Sequence, residues 1–420
     1  IGMRKAVTFG GLLLVAGHLG MAFEGEAARQ TSDGILRDEK ALSFFYLSLA
    51  LIVVGVGFLK PNISTVVGRL YPEGDARRDA GFTIFYMGIN VGAFAATLLC
   101  GWLGEVYGWS WGFGAAGIGM LFGLILFQWG QRYLLGHGEP SQPQHLVKRL
   151  GVPWLSIERA IYLGSMMMVA VIWQLVQLTD AIGTLLDVVS LAVLAGLGWF
   201  LFFRCNKIER ERMFVLILLT LSTVIFWALF EQGAGSMTLY ADRVTDKTLL
   251  GVSLTAAQFG AANSFFIFSL APLFALLWTR LAQRGWEPSS PVKFSLGIAQ
   301  AGLGFGVLVY GARFPDQAGL VSAWWLILAY LLHTTGELCL SPVGLSAVTK
   351  LAVPSVVGVM MGTWFLASAY SSYVAAQIAT IAARPATQVT LDRTGALAGY
   401  TDLFGQLLTI GLAGGAVLII

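Results

Sequence analysis

Long apolar stretches dominate the hydrophobic pattern of this chain. A bilayer-spanning helix needs about 20 mostly apolar residues, and twelve stretches between charged or Pro/Gly-rich breaks reach or approach that length. They lie near 6–23, 41–68, 81–104, 110–132, 157–179, 184–203, 213–241, 254–279, 292–311, 320–349, 355–383 and 398–420. The short alternating segments of a membrane β-barrel are absent. The pattern predicts an all-α integral membrane protein.

Composition agrees with this pattern. Mean hydropathy is +0.74, and 56% of the 420 residues are hydrophobic against 12% charged. Soluble domains carry about 25% charged residues, so a cytosolic enzyme, a nucleic-acid binder and a disordered scaffold are excluded. A net charge of +3 is too small to call for a polyanion. Cys100, Cys205 and Cys339 are scattered through apolar stretches, with no disulfide framework or zinc spacing. The 13 tryptophans and 51 glycines fit a polytopic membrane protein.

Lysine and arginine set the orientation. With the N-terminal stub cytoplasmic, that side carries Arg4, Lys5, Arg69, Arg77, Arg78, Arg132, Lys148, Arg149, Arg159, Arg204, Lys207, Arg210, Arg212, Arg280, Arg284, Lys293 and Lys350. The opposite side holds only Arg29, Arg37, Lys40, Arg243, Lys247, Arg313, Arg384 and Arg393. Both ends are therefore expected in the cytoplasm. The chain opens Ile1-Gly2-Met3-Arg4-Lys5, without an initiator Met or signal peptide, and closes inside an apolar run at Ile420. It reads as a fragment.

Three charges remain inside the spans: Lys60, Glu231 and Glu337, with these last two read as the only deep acids. A charge at the bilayer centre costs about 2.5–3.5 kcal/mol on insertion scales, so such groups face a wet cavity or one another. A buried ion pair pinning two helices is the plain alternative. One cation and two acids around a cavity suit a zwitterionic ligand and a mobile proton. Trp227 with Glu231, and Glu337 with Ser341, are four apart and share helix faces. Pro61 and Pro342 mark candidate breaks beside polar positions, a pointer to transporter sites. Asn90 and Asn263, taken singly, fit helix–helix hydrogen bonding.

Other polar residues have plainer readings. His333, four before Glu337, is either a relay partner or a hydrogen-bonded helix-face histidine. His18 reads as packing, and His137 and His145 as loop residues. Asp242 and Arg243 mark either an outer gate or a solvated helix end. The charge run from Arg204 to Arg212 is an anchor. No Walker sequence is present, which argues against ATP as the driving force.

Several motifs together resemble the proton-dependent oligopeptide transporter (POT) family of the major facilitator superfamily, prokaryotic type. Phe82-Thr-Ile-Phe-Tyr86-Met-Gly-Ile-Asn90-Val-Gly92-Ala-Phe94 is similar to the family signature. Gly57-Phe-Leu-Lys60-Pro61-Asn62, Phe230-Glu231-Gln232 and Gly336-Glu337-Leu-Cys-Leu-Ser341-Pro342 resemble three further segments, in family order. The resemblance implies two six-helix halves with two extra helices between them. Gly2-x-Arg4-Lys5 is similar to the tail of the loop after the family's second helix, which implies that helices 1 and 2 are absent here. The expected domains are then 1–132 (helices 3–6), 133–212 (a linker with the two extra helices) and 213–420 (helices 7–12). The short segment at 312–319 departs from animal members, which carry a large extracellular domain there.

Matched residue by residue, the resemblance implies substrate contacts at Lys60, Tyr86, Asn90, Trp227, Asn263, Glu337, Ser341, Trp364, Phe365 and Ser368. Lys60 would face the peptide carboxylate. Glu337 would face the amino terminus, with Asn90 and Asn263 as companions. Glu231 and Lys60 would couple protons, Glu231 pairing when ionised with a cation, expected to be an arginine of the absent helix 1. The implied function is symport of di- and tripeptides with protons by a monomer in a bacterial inner membrane, contacting lipid and no nucleic acid. The proton gradient drives it, without a cofactor or metal. Another zwitterion, an amino acid, nitrate or a peptide-like drug is the alternative cargo. An intramembrane enzyme is disfavoured: no aspartate dyad is present, and His333 and Ser341 stand about 12 Å apart along one helix at 1.5 Å per residue. A channel would not need opposed charges at one depth.

Overall fold

The computed structural model describes residues 1–26, 28–31, 34–71, 77–140, 142–383 and 393–418. Within these, the side chains of 30, 31, 34, 35, 77–80, 83, 179, 342, 343, 345, 346 and 349 are not described. Arg384 therefore lies outside the described residues, as do the side chains of Arg77, Arg78 and Pro342.

The helices in chain order are α1 (Met3–Met21), α2 (Glu39–Arg69), α3 (Arg77–Tyr107), α4 (Trp109–Gly130), α5 (Pro143–Val147), α6 (Ile157–Val176) and α7 (Thr179–Phe203). They continue with α8 (Lys207–Phe230), α9 (Ser236–Val244), α10 (Ala261–Gln283), α11 (Ser290–Gly311), α12 (Ala323–Leu351), α13 (Val357–Ala383) and α14 (Arg393–Val417). All but α5 and α9 are long, so each of the twelve expected spans has its helix. Among the described residues, nine segments meet both the length and the hydropathy of a membrane crossing.

Local chemistry sets the boundaries. Asp38 caps α2, accepting from the Lys40 and Ala41 backbone N–H groups at 3.1 Å each. The Ala41 N–H above all holds the Asp38 carboxyl below the usual carboxylate range. Asn206 and Glu209 form a capping box that starts α8 inside the charge run. Gly108, at φ 110°, separates α3 from α4. Pro61 does not end α2, which runs through it. A proline lacks the N–H that the Gly57 carbonyl would accept, and neighbouring side chains fold back onto the ladder: Asn62 donates to Phe58 O, Ser64 to Lys60 O and Thr65 to Pro61 O. The backbone of α12 likewise continues past residue 342.

The expected continuous span 213–241 is broken. Helix α8 stops at Phe230, Glu231–Gly233 forms a 3-10 turn, and α9 begins at Ser236. The Gly233-Ala-Gly235 sequence supplies the loose backbone. Gln232, fully buried, holds the break: its amide donates to Ala228 O and Ala375 O at 3.1 Å each, and it accepts from the Ser236 hydroxyl at 2.8 Å.

The chain divides into two compact units. The first holds residues 1–92 and 99–182. In it α1 and α2 meet backbone to backbone, since a Cβ on Gly10 would lie 2.7 Å from the Gly55 carbonyl oxygen. Helix α6 docks on α2 through the Trp173 indole, which donates to Ser43 O at 2.9 Å. Its first turn pairs Glu158 with Lys5 at 2.5 Å. The second unit holds residues 93–98 and 183–420. Its centre is α11, packed against α12 and α14 with Phe226, Phe294, Phe305 and Phe404 in the core. The two helices expected between the halves thus join different units, α6 the first and nearly all of α7 the second, because each is tied by its own side chains.

Candidate functional site

In the second unit a hydrogen-bonded chain crosses three elements. Asn263, in the first turn of α10, donates through Nδ2 to Thr334 Oγ1 at 3.0 Å and to Glu337 Oε2 at 3.3 Å on α12. Thr334 donates to the Tyr330 carbonyl at 2.8 Å. The Tyr330 hydroxyl donates to Gly233 O at 2.9 Å, inside the break after α8. Tyr330, Thr334 and Glu337 follow at helical spacing and share a face. A Cβ on Gly336 would lie 2.7 Å from Gly297 O, so this glycine lets α11 and α12 touch beside Glu337.

Glu231, the first residue past α8, accepts from the Ser372 hydroxyl of α13 at 2.9 Å. Among the described residues neither Glu231 nor Glu337 forms an ion pair. Trp227 packs edge-on against Phe226 and Phe230, with centroids 5.2 and 5.3 Å away. Trp364 is buried against Phe294 and the backbone of Gly344, whereas Phe365 is exposed and Ser368 half-buried. Ser341, one turn past Glu337, is half-buried.

The first unit carries the remaining candidates. Lys60 is exposed on α2 directly before Pro61. Tyr86 is exposed on α3, and Asn90, one turn later, is buried with its amide donating to Tyr86 O at 3.0 Å.

Four expectations need correction or refinement. Glu231 sits at a helix break, not mid-helix. His333 is fully enclosed between the rings of Phe305 and Phe230. It is therefore a buried residue, and among the described residues it is not joined to Glu337 by a hydrogen bond. Asp242 pairs with Lys247 at 3.1 Å, while Arg243 reaches the Tyr400 hydroxyl at 3.0 Å, tying α9 to α14. Finally, two further acids fall within the expected spans: Asp187 stands two turns inside α7, and Asp402 lies in α14.

Sequence reading missed Thr334, Tyr330, Gln232 and Ser372. Thr334 and Tyr330 had a usable signal, lying three and seven residues before Glu337. Ser372, 141 residues from Glu231, had none.

Long apolar helices carrying acids that amide and hydroxyl donors hold, with no ion pair among the described residues, fit a membrane transporter. The family model described as the POT family matches residues 4–397, and the chain belongs to this family. It is 39% identical over 382 residues to the uncharacterized transporter YclF of Bacillus subtilis, covering 90% of this chain and 73% of that one. It is 37% identical over 391 residues to the peptide transporter YePEPT of Yersinia enterocolitica, with the same coverages of 90% and 73%. The crystal structure of a peptide transporter POT in complex with sulfate superposes with a TM-score of 0.79 at 34% identity, covering all of this chain and 80% of that one. A POT family transporter in complex with 5-aminolevulinic acid gives 0.77 at 28% identity, covering 100% and 81%.

Proposed function

We propose that this protein imports di- and tripeptides together with protons by alternating access. The observation that carries the reading is the Asn263–Glu337 contact at 3.3 Å: a carboxylate inside α12, aimed by an amide and without an ion pair among the described residues, is suited to an ammonium ligand. All peptides share an ammonium and a carboxylate, so recognition through these ends tolerates varied side chains. In this reading Glu337 takes the amino terminus, with Asn263 and Asn90 as companions, and Lys60 takes the carboxylate. Tyr86 and Ser341 are further substrate contacts in this reading, and Trp227, Trp364, Phe365 and Ser368 would line side-chain pockets.

Coupling is assigned to Glu231, with Lys60 assisting. A ligand shifts a two-state equilibrium only by its differential affinity for the states. Protonating Glu231 changes what the break between α8 and α9 can bond to, which supplies such a difference. The domain division 1–132, 133–212 and 213–420, a monomeric state, a bacterial inner membrane and cytoplasmic ends complete the reading. The 5-aminolevulinic acid bound to one structural relative supports a second reading, transport of a different zwitterion by the same site.

The test is uptake of labelled dialanine by proteoliposomes carrying the intact protein, with and without an imposed inward proton gradient. Gradient-driven accumulation competed by other di- and tripeptides, but not by free alanine, is expected. Absence of accumulation in folded, inserted protein would overturn the cargo.

A further inference from the structure

We propose that the cavity between α7, α8 and α13 holds an aminophospholipid, its primary ammonium on Asp187 and one acyl chain along the apolar wall. The cavity measures 530 Å³, within the roughly 300–1,000 Å³ of ligand pockets. Its lining is mostly aliphatic, with Leu191, Leu194, Leu221 and Val224 beside Asp187 and Tyr370.

Asp187 is the anomaly that selects the occupant. It is exposed on a helix of membrane-spanning length. The Tyr370 hydroxyl donates to its Oδ1 at 3.0 Å, and among the described residues it forms no ion pair. One neutral donor leaves most of the charge uncompensated, and a lipid-facing carboxylate is costly unless a cation meets it. The contact itself is built in. A Cβ on Gly183 would overlap the Tyr373 ring and hydroxyl, so the close Gly183–Tyr373 approach and the Asp187–Tyr370 hydrogen bond form two successive rungs between α7 and α13.

Depth agrees with a headgroup. Asp187 lies about 12 Å along α7 from its first residue at 1.5 Å per residue. Helical side chains lean toward the N-terminus, so its carboxylate leans back to the nearer membrane face. An ammonium drawn down from that face meets it, while the attached chain follows the aliphatic wall deeper. An anionic headgroup would instead be repelled. This inference rests on the membrane setting alone and is independent of which cargo is carried.

The test is native mass spectrometry of the intact protein released from detergent, equilibrated with equal amounts of phosphatidylethanolamine and phosphatidylglycerol of matched chains. A roughly 3- to 10-fold preference for phosphatidylethanolamine is expected, the range for one charge at a membrane interface. Asp187→Asn, at an exposed position and with folding checked by circular dichroism, should erase the preference. Leu194→Trp, which fills the cavity and keeps the charge, should lower retention of both lipids. Equal retention of the two lipids by the unmodified protein, or an unchanged preference in Asp187→Asn, overturns the proposal. So does a lipid-free dimer that Asp187→Asn abolishes, since a second copy would then be the occupant.

Discussion

The Ser372 hydroxyl donates a 2.9 Å hydrogen bond to the Glu231 carboxylate, joining α13 to the point where α8 ends. Glutamine at position 231 keeps an oxygen that can accept this bond but cannot release a proton. Glu231→Gln should therefore fold normally and retain peptide exchange across the membrane, while gradient-driven accumulation falls to the level seen without a gradient. Paired counterflow and uptake assays separate the two. Accumulation at the unmodified level would retire Glu231 as the coupling group.

Asn263 bridges Thr334 and Glu337. Removing a hydrogen bond to a charged group costs about 1.5–3 kcal/mol. In Asn263→Ala the apparent affinity for dialanine should weaken by roughly 10- to 100-fold, measured as the half-saturating concentration for uptake.

Gly336 faces Gly297 backbone to backbone. Gly336→Ala puts a methyl group where no side chain can give way, an overpacking cost of about 1–3 kcal/mol. Its thermal unfolding midpoint in detergent should fall clearly. Gly362→Ala, where a Cβ meets nothing within 4 Å, should not lower it.

Gln232 makes three buried hydrogen bonds at the helix break. Gln232→Ala leaves the Ser236 hydroxyl without its acceptor and should cost about 1–3 kcal/mol. Hydrogen exchange would then rise locally at residues 231–236, a readout that a global loss of stability would not produce.

The Asp38 carboxyl is held below its usual range by backbone N–H groups of the folded state. A depressed folded value means the stabilisation is present above the unfolded carboxylate range and is lost as pH falls through the folded one. Acidification should therefore lower the thermal midpoint more steeply in the unmodified protein than in Asp38→Asn, which caps without a charge. Equal slopes would show that the cap contributes no pH dependence.

Much of the architecture was legible because a bilayer imposes a length rule. Among the described residues each apolar stretch carries a long helix, and nine segments meet the length and hydropathy of a crossing, since a backbone inside lipid must satisfy its own hydrogen bonds. The boundaries shifted where capping chemistry overrode hydropathy, as at Asn206 and Glu209, where a charged run became the first turn of α8. Glu231 and Glu337 stood out because carboxylates are rare inside spans, and Asn263 because it interrupts an apolar one. Asp187, about two turns inside α7, is a third carboxylate within an expected span and lies nearer its end.

Sequence by itself determined the class, the helices and the family, since span length, charge placement and local motifs are properties of neighbouring residues. Tertiary structure alone decided that α8 breaks at Glu231, that Ser372 holds that acid and that Asn263 bridges Thr334 to Glu337. It also enclosed His333 in phenylalanine and divided the two extra helices between units. Each of these depends on groups brought together from distant parts of the chain. Packing, unlike helix formation, leaves little local trace in the order of residues.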